Sequence, residues 1–196
     1  RLVAPRSWSI SRKENVWTTR PMPGKHSLEG AVPISTILRD YLNVCDTKRE
    51  AKIILNDGAV LVDQKVVREP KTAVGLMDVI SLPKMKIHLR TVLDNHGRIQ
   101  FVNLKATEAK WKLVRIENKV VVKGGKTQLN LHDGTNILSD KKVKTGDVLQ
   151  LSLPNMKIKK ILEFKEGAQA LITGGAHVGS IAKIKGIEIT RSTKPN

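Results

Sequence analysis

The chain has 196 residues, with 35 lysines and arginines against 18 aspartates and glutamates, a formal charge of +17. That excess is far beyond what solubility needs and implies a polyanionic partner, nucleic acid ahead of an anionic membrane surface. Apolar residues at 40% can build cores, aromatics at 3% favour several small ones, no apolar run approaches the ~20 residues of a membrane span, and the lone Cys45 excludes an internal disulfide or a cysteine-based zinc site.

No long basic amphipathic helix suggests surface binding to a membrane, no signal peptide is visible, and cysteine usage suits a reducing compartment. The sequence opens at Arg1 and closes on Lys194-Pro195-Asn196. Further residues are expected beyond both ends.

Residues 1–32 show neither helical nor strand periodicity and read as a basic arm. Six lysines and arginines face two acids there, a net of +4, and Pro5, Pro21, Pro23 and Gly24 block regular structure. Arg12, Lys13, Arg20 and Lys25 are its candidate RNA contacts. Trp8 and Trp17 interleave with the charges. Each either stacks on an exposed base or anchors the arm to a domain.

From Pro33 the pattern becomes regular. Ile34, Ile37, Leu38, Tyr41 and Leu42 recur at helical spacing, and Thr47-Lys48-Arg49-Glu50 predicts a capping box opening a second helix. Ala51, Ile54 and Leu55 form that helix's buried stripe, and Asn56-Asp57-Gly58 stops it. Val60 and Val62 face Val66 and Val67 across an Asp63-Gln64 turn, and residues 78–82 form a further strand. This run resembles the helix–helix–hairpin RNA-binding module named after bacterial small-subunit ribosomal protein four. The residues that carry the likeness are Leu38-Arg39-Asp40, Lys48-Arg49-Glu50-Ala51-Lys52, Gly58 to Asp63 and Asp78-Val79-Ile80. Gln64 departs from it, because that hairpin usually has glycine there and Asp-Gln suits a type I′ turn poorly.

Between Pro33 and Pro83 seven basic residues balance seven acids, so RNA binding by the module would depend on arranging charge on one face. Arg39, Lys48, Arg49 and Lys52 are expected to form that face, with the amides at the start of the second helix adding partial positive charge. Asp57, Asp63 and Asp78 are expected at turns or strand starts, away from it.

Residues 84–163 carry 17 basic and seven acidic residues, and residues 164–196 five and two. The middle segment reads as strands: 87–92 and 99–102 around an Asp94–Gly97 turn, a helical patch at 107–111, then 113–116, 120–122, 128–131 and 147–153. Lys123 and Lys126 flank the Gly124-Gly125 tip and are candidate phosphate contacts. Ser81 to Ile87 recurs as Ser152 to Ile158, which suggests two similar strand exits. Residues 167–184 cross a glycine-rich loop between alternating strands, as in the KOW motif, the core of a small RNA-binding barrel. Lys183 and Lys185 are its candidate contacts. Ala176, Ser180 and Ala182 stand where more basic or glycine character belongs.

In order, the arm, the module, the β segment and the KOW-like segment resemble the archaeal and eukaryotic small-subunit ribosomal protein family "S four e", and its archaeal branch. The arm carries this in Trp8, Arg12-Lys13, Trp17, Arg20-Pro21 and His26-Ser27-Leu28-Glu29. Beyond the module it continues in Val74 to Val79, Arg115 to Lys119, Leu129 to Gly134 and Leu171 to Gly175. The resemblance implies an α+β, multi-domain protein. Its parts would be a basic arm (1–32), the RNA-binding module (33–83), a central, mostly antiparallel β domain (84–163) and a KOW-type barrel (164–196). It implies a structural constituent of the small ribosomal subunit, cytoplasmic, binding 16S-type rRNA beside neighbouring ribosomal proteins, with no membrane or small-molecule partner.

An RNA-modifying enzyme carrying the same module is the alternative, but nothing after Lys84 resembles a catalytic domain. A KOW-bearing transcription factor would lack the module. Gly174 to Ser180 follows a phosphate-binding loop superficially and lacks its lysine. The five histidines (His26, His88, His96, His132 and His177) show no i, i+4 pair for metal and are expected on the surface or facing RNA. Neither catalytic residues, nor a metal, nor a cofactor is expected.

Overall fold

The arm has almost no regular structure, yet a few deep contacts hold it down. In the computed structural model, which describes residues 1–139 and 142–187, Trp8 is buried and its indole N–H donates to the Ala31 carbonyl at 2.8 Å. The Ile99 N–H donates to the Ser7 carbonyl (2.8 Å), which lays the arm along a later strand. The arm ends in a strand, β1 (Ala31–Pro33), paired antiparallel with β4 (Ala73–Gly75). Three-residue strands are too short for alternation to reveal, so neither was predicted.

Both expected helices form. α1 (Ile34–Thr36) widens into a π-helical turn over Ile37–Tyr41, and Ile34, Ile37 and Leu38 are fully buried. α2 (Lys48–Asn56) buries Ala51 and Leu55 and opens with the predicted capping box. Thr47 Oγ1 accepts the Glu50 N–H at 3.2 Å, and Glu50 Oε2 accepts the Thr47 N–H at 3.3 Å. Gly58 ends the helix with φ +67°.

β2 (Leu61–Val62) and β3 (Lys65–Val66) make the hairpin. Asp63 and Gln64 both take positive φ, 51° and 63°, as a type I′ turn requires. Tertiary bonds hold this unfavourable pair in place. Asp63 Oδ1 accepts the Val79 N–H at 3.2 Å, and the Gln64 amide donates to the Ala109 carbonyl at 3.1 Å.

β5 (Val79–Leu82), β6 (Ile87–Leu93) and β7 (Ile99–Asn103) complete an antiparallel sheet in the order β3-β2-β5-β6-β7. This sheet continues across the expected boundary between residues 83 and 84. Its core joins Trp8 to Ile34, Leu38, Leu55, Ile80, Leu89 and Ile99.

The second sheet has the order β10-β9-β8-β11-β12, from β8 (Trp111–Val121), β9 (Thr127–Leu131), β10 (Asn136–Leu138), β11 (Val148–Ser152) and β12 (Lys157–Leu162). β8 unites two stretches expected to be separate strands. A register shift between Ile116 and Asn118 breaks its alternation there, so the sequence pattern splits in two. The repeated heptapeptides do mark two hairpin exits, from β5 to β6 and from β11 to β12. The left-handed residue is Lys86 in the first and Met156 in the second, one place apart in the repeat.

β13 (Gln169–Leu171) and β14 (Ile181–Lys183) pair only with each other among the described residues. The described part of the KOW-like segment is therefore a two-stranded hairpin, and residues 188–196 of it lie outside the described residues. The described residues are α+β, mostly antiparallel β with two short helices and brief 3-10 turns. No helix among the described residues is long and apolar enough to cross a membrane.

Candidate nucleic-acid interface

α2 packs Ala51 and Leu55 inward, and so turns Lys48, Arg49 and Lys52 to solvent. All three are exposed, and none makes an ion pair among the described residues. The amides at the start of this helix are less available than expected. The Glu50 carboxylate accepts from both Asp46 N–H (3.0 Å) and Thr47 N–H, and these bonds hold its pKa below the usual carboxylate range. A negative charge already sits at that terminus and offsets its partial positive charge, so the anion affinity of this face rests chiefly on the lysine and arginine side chains.

Arg39 does not extend the face freely. Its guanidinium holds Asp40 at 2.7 Å, and Asp40 also takes Arg1 at 2.8 Å. Two further expected contacts are likewise engaged within the protein. Arg12 donates to the carbonyls of Ala4 and Pro5, each at 2.6 Å, and Lys25 reaches Asp63 at 3.1 Å. Lys13, Arg20, Lys123, Lys126, Lys183 and Lys185 are exposed, spread over the arm, the β8–β9 tip and the last hairpin. Lys65, Arg68 and Lys71 are a further exposed basic group on the module, apart from the α2 face in sequence.

The module's acids Asp63 and Asp78 fall at a turn and a strand start, as expected, but they are buried there, and with Asp133 they surround the ammonium of Lys112. Lys112 Nζ lies 2.7 Å from Asp63, 3.2 Å from Asp78 and 2.6 Å from Asp133. Burial alone would push Asp78 up. The His26 hydrogen bond at 2.7 Å and the Lys112 charge outweigh it and hold Asp78 far below the usual carboxylate range. Burial would lower Lys112, but the three carboxylates hold it above the usual lysine range.

The three carboxylates bring oxygens within 4.8 Å of one another, as a metal site would. The lysine ammonium occupies their centre. Because these acids are neutralised inside, the module's surface is more positive than its balanced composition implies. The signal for Lys112 was present in the sequence. It shares the inward alternation of Val114 and Ile116, a strand position where a lysine needs a partner.

Two histidines depart from their expected surface role. His26 is buried against Asp78. His132 accepts the Arg115 N–H on Nδ1 at 3.1 Å and reaches the Leu76 carbonyl through Nε2 at 3.3 Å, and burial lowers its pKa. The two tryptophans of the arm divide: Trp8 is an anchor, while Trp17 is 84% exposed.

Acids drawn inward around one lysine, with lysines and arginines left outside on α2, the arm and the hairpin tips, give the surface expected of a protein that binds a polyanion. Comparison with known proteins makes this specific. The family model described as "Ribosomal family S4e" matches residues 79–158, an "RS4NT (NUC023) domain" matches 1–29 and an "S4 domain" matches 33–80. "Small ribosomal subunit protein eS4" of Methanosphaera stadtmanae is 46% identical over the whole chain, which covers 81% of that relative. The protein of the same name from Methanothermobacter thermautotrophicus is 45% identical with the same coverage. The crystal structure of the 30S ribosomal protein S4e from Thermoplasma acidophilum superposes with a TM-score of 0.73 at 39% identity, covering 84% of this chain and 85% of that one. The chain belongs to the ribosomal protein family S4e, a family of small-subunit structural proteins and not of enzymes.

Proposed function

We propose that this protein binds 16S-type rRNA as a structural constituent of the small ribosomal subunit, in the cytoplasm, and supports subunit assembly and translation. The observation that carries this function is the outer face of α2, where Lys48, Arg49 and Lys52 stand exposed and, among the described residues, without a carboxylate partner. Relatives named as small ribosomal subunit proteins make rRNA the natural polyanion for that face. Lys13, Arg20, Lys123 and Lys126 extend the contacts to other sides of the molecule, as a protein set among RNA requires. Lys183 and Lys185 do so on the last hairpin, read as part of a KOW-type barrel.

Arm (1–32), module (33–83), central β part (84–163) and C-terminal segment (164–196) then divide the labour of binding rather than separate cores, since the β5–β6 pairing links the second to the third. Neighbouring ribosomal proteins are the other partners. No cofactor, membrane or small-molecule substrate enters this function.

The test is the double substitution Arg49→Gln/Lys52→Gln. Affinity for small-subunit rRNA is expected to weaken by about 1–3 kcal/mol, roughly 5- to 150-fold. Thermal stability is expected to stay unchanged, because exposed charges contribute little to folding. Unchanged rRNA affinity, or a loss carried instead by Lys65, Arg68 and Lys71, would place the interface elsewhere.

A further inference from the structure

We propose that a second RNA-backbone site, separate from the outer face of α2, lies in the cleft where the arm crosses the start of β7. It rests on rRNA being the polyanion and specifies where the arm grips it. The bond from Ile99 N–H to the Ser7 carbonyl, 2.8 Å, sets the two segments side by side. Arg6 and Arg98, each one residue before that pair, are thereby brought to one place from distant parts of the sequence. Both line a cleft of about 530 Å³ together with Arg12 and His96. Trp8 also lines it, fixed by its bond to the Ala31 carbonyl.

The charge in this cleft is uncompensated. Arg6 and Arg98 are exposed and, among the described residues, make neither a hydrogen bond nor an ion pair through their side chains, and no carboxylate is among the cleft's lining residues. The bonds from Arg12 to the carbonyls of Ala4 and Pro5 orient its guanidinium and leave its charge intact. The neighbouring recess of the arm, beside Trp17 and Arg39, differs in containing Glu14 and Asp46. Guanidinium groups are planar forks that match phosphate oxygens two at a time, and they lose less hydration than an ammonium on doing so. Arg6 and Arg98 offer two such forks at one recess, and Arg12, already bonded to the protein, adds its charge. Trp8 is 3% exposed and offers no face for a base, so the cleft reads backbone and not sequence.

The test uses the full chain and naked small-subunit rRNA, with affinity measured against salt for the wild type, Arg6→Gln/Arg98→Gln and Arg49→Gln/Lys52→Gln. The cleft pair is expected to lower affinity at least about tenfold and to reduce the slope of log affinity against log salt by about 1.4–1.8, two phosphates' worth. Its melting temperature should match the wild type, and Arg6→Lys/Arg98→Lys should recover the slope with only part of the affinity. If the wild type and the α2 pair behave as proposed while Arg6→Gln/Arg98→Gln binds like the wild type, the cleft is not an RNA site and the rRNA function stands. If the wild type fails to bind rRNA, both fall. If the cleft variant keeps its rRNA affinity but loses a neighbouring protein in reconstituted subunits, the cleft holds an acidic protein segment and the RNA proposal is overturned.

Discussion

Lys112 donates to Asp133 at 2.6 Å with both side chains closed off from solvent, and the same ammonium reaches Asp63 and Asp78. Asp63 and Asp78 belong to the first sheet and its turns, Lys112 and Asp133 to the second, and Lys25 and His26, which bind the same carboxylates, to the arm. One charge cluster therefore fastens three parts of the chain to one another. Removing its cation should be costly, since a buried charge left without its partner destabilises far more than a surface pair does. Lys112→Met, similar in length and apolar, is expected to lose about 3–5 kcal/mol in urea unfolding. A loss under about 1 kcal/mol, in the range of a surface pair, would mean that water reaches the carboxylates.

The same cluster sets the response to pH. Asp78 and Asp133 are held below their ordinary range, so their stabilisation is complete above the unfolded carboxylate pKa of about 4. It is lost as pH falls below that value toward the folded ones. Lys112 is held above its ordinary range, so its contribution is complete below about 10.4 and lost as pH rises beyond it. His132, lowered by burial, must stay neutral, and it adds a loss that begins as pH falls through about 6.5. The melting temperature should be flat from roughly pH 7 to 10, decline gently below that plateau and fall steeply below about pH 4. A melting temperature that rose on acidification from pH 7 would contradict these assignments.

Local signals in the sequence were dependable where one segment decides its own structure. Thr47 and Glu50 make the capping box that their spacing predicts, and the β6–β7 hairpin falls where alternation places it. What stayed hidden depends on residues meeting across the fold. Asp63 in a turn looks like a solvated acid until Lys112 and Lys25 are seen beside it. β8 looked like two strands because of its register shift, and Trp8 and Trp17 could not be told apart without knowing what lies beneath them. On the candidate interface, the α2 cations were legible from helical spacing. That Arg12, Lys25 and Arg39 are partly spent within the protein was not, because their partners come from elsewhere in the chain or, for Arg39, from a neighbour that also binds Arg1.

Gly75 tests how closely the arm is fitted. A Cβ there would lie 2.5 Å from the His26 ring, and the Gly75 N–H already donates to Asp78 at 3.1 Å. The ring cannot retreat without losing its own bond to Asp78. Gly75→Ala is expected to lower stability by about 1–3 kcal/mol, the usual cost of overpacking. In a double-mutant cycle with His26→Ala the two losses should be less than additive, because the second change removes the clash made by the first. Strict additivity would show that the arm does not press on β4.

The two tryptophans of the arm should separate stability from binding. Trp8 is packed in the first core and hydrogen-bonded, so Trp8→Ala should cost about 3–5 kcal/mol of stability. Trp17 is exposed and lies beside Arg39, in a recess that leaves its indole accessible. A base stacked on such an indole contributes about 1–3 kcal/mol, so Trp17→Ala should weaken rRNA binding by that amount without moving the melting temperature. Fluorescence gives an independent readout. Trp8 is buried, and Trp111 has the Arg90 guanidinium 4.2 Å above its ring. Quenching on rRNA addition should therefore come mainly from Trp17 and largely disappear in Trp17→Phe, which keeps an aromatic face and most of the affinity. If Trp17→Phe is quenched like the wild type, the indole does not stack on RNA and the arm binds through its cations alone.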